Sequence, residues 1–184
     1  MKANWHFRNA IPADAASIAN VQVNSYQTSY KGLLPDDYLA NFTLQEQEND
    51  WMRWHNNYPN DILLVALDEQ DQIIGYALNR KLETNQTTGE ILALHVLPPL
   101  KNRGIGRQLL AYSVFELKKT GCNSIFLWTL MDNPSRGFYE HLNGQCVEEK
   151  VWIIEELNFK TKEVCYRWDD LDTLLTSMSY QDAN

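Results

Sequence analysis

The stretch Ile91-Leu92-Ala93-Leu94-His95-Val96-Leu97-Pro98, followed at once by Lys101-Asn102-Arg103-Gly104-Ile105-Gly106-Arg107, constrains this chain more than any other. An apolar run of that length reads as a strand buried on both faces. Prolines stop it, and the glycine turn that follows opens a helix with apolar residues at Leu109, Leu110, Val114 and Leu117. Glycines let the backbone approach a ligand closely, and a helix N-terminus attracts anions. Arg103 and Arg107 add full charge to the partial charge of the helix dipole. A pyrophosphate suits such a turn.

Apolar periodicity orders the remaining chain. A short strand at Phe7–Ala10 precedes a helix capped by Asp14 with a stripe of Ala15, Ile18, Ala19 and Val21. A second helix covers Gln45 to Asn56, placing Trp51 and Trp54 one turn apart. Ile62–Leu67 and Gln72–Leu82 form a hairpin, and Glu90 starts the strand described above. After the glycine-turn helix comes a strand at Ser124–Leu130. Asn133 then caps a short helix with Pro134 at its first position, ended by Gly144. A last hairpin joins Gln145–Glu155 to Glu163–Trp168; turning near Phe159–Lys160, it sets Cys165 opposite residues near Ile154. The expected fold is α/β (α+β), a central mixed sheet of about six to seven strands with helices on both faces. One domain spans 1–175, and the tail frays after Leu175.

Composition narrows the function. A formal charge of −8 argues against nucleic acid as a partner. No segment has the length and apolarity of a membrane span, and Met1 to Ala10 lacks the apolar core of a signal peptide. Cys122, Cys146 and Cys165 are odd in number and lack Cys-x-x-Cys spacing, so free thiols in a cytoplasmic protein are expected. With four scattered histidines, no metal site is expected. A homodimer stays open.

Competing phosphate motifs fail at named positions. A dinucleotide turn needs a third glycine where this chain has Leu109, and the P-loop sequence is absent. The turn resembles instead the coenzyme A signature of the GNAT superfamily of N-acetyltransferases, Gln/Arg-x-x-Gly-x-Gly/Ala. Lys101 departs from its first position, keeping charge without the planar fork. The segment from Asn133 to Tyr139 resembles the family's Asn-x-x-Ala/Arg-x-x-Phe-Tyr helix, one residue shorter between Asn133 and Phe138. The resemblance covers nearly the whole chain.

The resemblance implies acetyl-CoA as donor and an amine as acceptor, joined by direct transfer in a ternary complex. Coenzyme contacts fall to Lys101, Asn102, Arg103, Gly104, Ile105, Gly106 and Arg107, to the backbone of Leu94, His95 and Val96, and to Asn133. Tyr139 is the implied general acid and Glu90 the implied base, whose other reading is a solvated strand end. An amine of pKa about 10.4 is almost all ammonium near pH 7, and neutralising it costs roughly 4–5 kcal/mol. Tyr26, Tyr30, Asp36, Asp37 and Trp152 are the implied acceptor walls. Asp36 and Asp37 hold a cation or cap the helix beginning there, and capping is the preferred reading. Transfer of a longer acyl group, and a noncatalytic acyl-CoA sensor, remain alternatives.

Overall fold

The computed structural model describes residues 5–180. Among these residues the strands form one seven-stranded sheet, ordered β1-β2-β3-β4-β5-β7-β6. They are β1 (His6–Asn9), β2 (Ile62–Leu67), β3 (Ile73–Lys81), β4 (Thr88–Val96), β5 (Ser124–Leu130), β6 (Gln145–Ile154) and β7 (Phe159–Trp168). Every neighbouring pair is antiparallel except β4–β5, whose parallel pairing needs the long crossover that the glycine-turn helix supplies.

Helices cover both faces, as the alternating elements require. Helices α1 (Ala15–Ser29) and α3 (Leu44–Asn57) bury Ile18, Val21 and Trp51 against Val65, Tyr76 and Leu78. On the other face α4 (Ile105–Lys119) buries Leu110, Val114 and Leu117 against Ile91, Ile125 and Leu127. Short α2 (Asp36–Ala40) and α5 (Arg136–His141) lie in the connections after α1 and β5. No helix among the described residues is long and apolar enough to cross a membrane.

Several expectations change. The chain does not fray after Leu175: α6 (Leu171–Tyr180) extends beyond it, and Leu171, Leu174 and Met178 are buried in the α4 face. An apolar spacing of three and four residues makes that helix an amphipathic cover rather than a loose end. The last stretch of the expected tail, 181–184, lies outside the described residues. Asp14 does not cap α1 through its side chain. Its carboxylate instead accepts from Arg8 at 2.6 and 3.0 Å and from the Ile11 N–H at 2.8 Å. The last hairpin turns through Glu155–Leu157, earlier than expected, so Cys165 faces Glu148 across the ladder and not the region of Ile154. The thiols of Cys122, Cys146 and Cys165 are free, as expected.

Candidate active site

Strand β4 begins at Thr88, two residues before the expected Glu90. It pairs with β5 only through Thr88, Gly89 and Glu90, opposite Ser124, Ile125 and Phe126. From Ile91 to Val96 it keeps β3 on one side and, among the described residues, has no strand partner on the other. The register against β3 jumps from Ala93↔Leu78 to Ile91↔Asn79, leaving Leu92 as an extra, bulged residue. The strand is therefore not buried on both faces. Leu92 is 37% exposed, and Ala93, Leu94 and His95 are half-buried along the opening.

The open edge of β4 runs into the glycine turn. Asn102 and Gly104 both take left-handed backbone, at φ 61° and 89°, and Gly104 is the N-cap of α4. No side chain caps that helix. Gln108 N–H reaches the Gly104 carbonyl, so the N–H groups of Ile105, Gly106 and Arg107 precede the first intrahelical bond. A Cβ built on Gly104 or Gly106 meets no atom closer than Val96 Cγ2, 3.8 Å from the latter. Space is open above the turn, which suits phosphate oxygens.

The three cations of this segment part company. Arg103 is exposed. Lys101 donates to Ser29 Oγ at 2.6 Å, and burial lowers its pKa. Arg107 Nη2 donates to the Ser177 carbonyl of α6 at 2.6 Å.

The second signature folds differently from its expected cap. Arg136, not Pro134, begins α5, and Ser135 is its N-cap. Buried Asn133 makes a turn instead, accepting the Ser135 N–H on Oδ1 at 2.9 Å. Gly144 is not the stop; Leu142 is the C-cap and Asn143 takes the left-handed residue at φ 58°. Arg136 Nε donates to Tyr166 Oη at 2.9 Å and Nη1 to the Met131 carbonyl at 2.8 Å, lashing α5 to the sheet. Tyr139 is 8% exposed, with its ring against Tyr166 and Trp168. Burial pushes its hydroxyl up to about 12.

Glu90 is half-buried rather than a solvated strand end. Burial raises its pKa, while Arg80 and Lys150 oppose the rise. The aromatic candidates gather on the α1 face. Tyr26 contacts Tyr30, Phe42 and His95 at 4.8, 4.5 and 5.3 Å between ring centroids, and Tyr38 meets Trp152 at 5.9 Å. Burial pushes the Tyr26 and Tyr30 hydroxyls far up. Tyr139 adds to the effect on Tyr30. Asp36 and Asp37 stay outside this cluster, exposed in the first turn of α2 with Pro35 as its N-cap. There they favour the helix dipole without capping it.

Sequence reasoning missed Glu163, which acts on both Tyr26 and Tyr30 and pairs with Lys150 at 3.3 Å. Lys150 also lies 3.8 Å from the centroid of Trp128. It missed Arg80 as well, whose signal was the hairpin register placing it opposite Glu90. Among the described residues, no group of three or more His, Cys, Asp or Glu side chains converges as a metal site.

A forked parallel pair leading to an uncapped helix fits what the resemblance to the GNAT superfamily implies, and known proteins compare with the chain as follows. Residues 26–144 match the acetyltransferase (GNAT) family. The chain is 32% identical over 174 residues to an uncharacterized N-acetyltransferase of Bacillus subtilis, covering 94% of this chain and 97% of that one. In fold it is similar to the PaiA N-acetyltransferase of Thermoplasma acidophilum, solved with coenzyme A. The TM-score is 0.64 at 20% identity, over 86% of this chain and 98% of that one. A Salmonella typhimurium protein solved with acetyl-CoA as its cofactor gives a TM-score of 0.66 at 17% identity, over 90% and 93% of the two chains. The chain belongs to the GNAT family, and it is an acyltransferase of the N-acetyltransferase type.

Proposed function

We propose that this protein transfers the acetyl group of acetyl-CoA to a primary amine by direct attack within a ternary complex. The observation that carries the reading is the fork, because the unpaired edge of β4 leads straight to the uncapped N-terminus of α4. The two amides of pantetheine pair with Leu94, His95 and Val96 as an added strand would. The pyrophosphate takes the N–H groups of the turn between Lys101 and Arg107, and Arg103 supplies charge. Asn133 borders the pantetheine arm.

Glu90 takes the proton from the acceptor ammonium, directly or through water. The neutral amine then attacks the thioester carbonyl. As the C–N bond forms and the C–S bond breaks, the nitrogen gives up its second proton, which replaces, through water, the one that Tyr139 passes to the departing sulfur. Burial raises the pKa of the Glu90 carboxyl, which makes it a stronger base toward the ammonium proton. Tyr139 keeps its proton near pH 7, since burial holds it near 12, and its O–H donates to the departing sulfur. Tyr26, Tyr30 and Trp152 form the acceptor walls. The acidic pair Asp36 and Asp37 bears on longer acceptors from outside the aromatic cluster.

Two measurements on the purified chain test the reading. Acetyl-CoA raises the melting temperature where NAD and ATP do not, because a ligand held only by the native state stabilises it. Free thiol appears when acetyl-CoA is mixed with one or more members of a panel of small amines, peptide N-termini and lysine peptides. Binding without thiol release from any amine removes the transferase reading; a shift with NAD or ATP alone removes the coenzyme.

A further inference from the structure

Glu90 has a fixed neighbour. Arg80 is its directly opposite partner across the β3–β4 ladder, so the two side chains share one face of the sheet. The guanidinium is held by two hydrogen bonds to Asp61, Nε to Oδ1 and Nη2 to Oδ2, both 2.8 Å. It also lies 4.9 Å from the centroid of Tyr58 and 5.6 Å from that of Trp54. Trp54 Nε1 in turn donates to Asp61 Oδ2 at 3.0 Å. The Asp61 side chain is only 5% exposed and that of Arg80 31%. Stability alone is a weak reason for such an assembly, because well-packed apolar residues often replace a buried ion pair at no loss.

We propose that Arg80, clamped by Asp61, is a positioning residue that keeps a fixed positive charge opposite Glu90 and so sets the pH at which this carboxylate works. The inference rests on Glu90 being the base. Four groups bear on the Glu90 carboxylate from the elements around it. Arg80 on β3 and Lys150 on β6 favour the ionised form, Asp61 before β2 opposes it, and the Cys165 thiol on β7 feels its charge. Arg80 is permanently charged, and its planar fork is committed to Asp61, so it cannot swing away. Lys150, bound to Glu163 and Trp128, offers a second and looser charge.

The two halves of the clamp predict opposite signs. Arg80→Gln removes the cation, and the Glu90 carboxyl titrates at higher pH. Asp61→Asn removes the opposing anion and frees the guanidinium for Glu90, which then titrates at lower pH. Arg80→Lys keeps the charge and stays near the unmodified protein. Carbon-13 NMR of the side-chain carboxyls in the full chain reads this without any acceptor, with Glu90 assigned by its loss in Glu90→Gln. The acid limb of kcat, with whichever panel amine releases most thiol, moves in the same directions. A general loss of stability gives no such pair of opposed shifts. Shifts of one sign, or none, overturn the proposal. If Asp61→Asn does not fold, Arg80→Gln against Arg80→Lys carries the test, since only the first moves the titration. Full turnover in Glu90→Gln overturns the base reading, and the catalytic meaning of the clamp with it.

Discussion

Glu90 and Phe126 are the last residues paired between β4 and β5, so the carboxylate sits where the two strands part. The bulge at Leu92 follows two residues later and supplies the bend. β5 meanwhile stays paired with β7 through Leu130 without a register shift. One inserted residue thus accompanies the open edge of β4, with Glu90 at its apex.

Gly106 has room for a side chain. It has no left-handed backbone to require glycine, and a Cβ there meets only Val96 Cγ2 at 3.8 Å. Gly106→Ala should leave the melting temperature unchanged or raise it, since alanine in a helix is favoured by up to about 1 kcal/mol. Acetyl-CoA affinity, measured by calorimetry, should fall because the methyl occupies the approach of the phosphate. Undiminished affinity places the pyrophosphate elsewhere.

Arg103 and Arg107 should separate binding from folding. Arg103→Gln lowers acetyl-CoA affinity and weakens its salt dependence, with little change in melting temperature. Arg107→Gln breaks the bond to the Ser177 carbonyl and so loosens α6 from α4. A hydrogen bond from a charged group is worth about 1.5–3 kcal/mol, which chemical denaturation would register. Loss of affinity without loss of stability in the second variant reverses the assignment.

His95 should give the protein an acid-side weakness. Its Nδ1 is 3.1 Å from Ser25 Oγ, its ring lies against Tyr26 and Tyr76, and burial with help from Lys101 lowers its pKa from 6.5 to about 4. Between those values the unfolded chain binds a proton that the folded one refuses, so stability falls as pH drops through that window. His95→Gln cannot take the proton, and its stability should fall less over the same interval in denaturation at pH 4.5 and 7. Equal slopes would show a solvated ring.

Local pattern carried most of the fold into the sequence. The apolar runs of β2 and β3, the apolar stripe of α4 and the glycine turn are all short-range signals, and they survive in the structure. What the sequence hid depends on partners distant in the chain. The anchoring of α6 needs the α4 face, the exposure of β4 needs a bulge, and the direction of Arg107 needs both helices. Arg80 belongs to the same class: its meaning appears only once register sets it beside Glu90 and Asp61.

The proposed role of Tyr139 as general acid is open to a direct test. Its ring is packed against Phe138, Tyr166 and Trp168, while among the described residues no hydrogen bond holds its hydroxyl. Burial alone raises its pKa. Tyr139→Phe therefore keeps the packing and removes an oxygen on which the fold does not depend, so the melting temperature should hardly move. If that oxygen protonates or hydrogen-bonds the departing sulfur, kcat should fall by roughly 10²–10⁴-fold, about 3–5 kcal/mol at the transition state. Acetyl-CoA affinity should change by less than about 1 kcal/mol, the scale of one hydrogen bond. Tyr139→Ala is the contrasting variant: the cavity should cost about 3–5 kcal/mol of stability, whatever the mechanism. With the chemical step shown to limit turnover, an unchanged kcat in Tyr139→Phe takes this residue out of the mechanism and leaves the sulfur to be protonated by water.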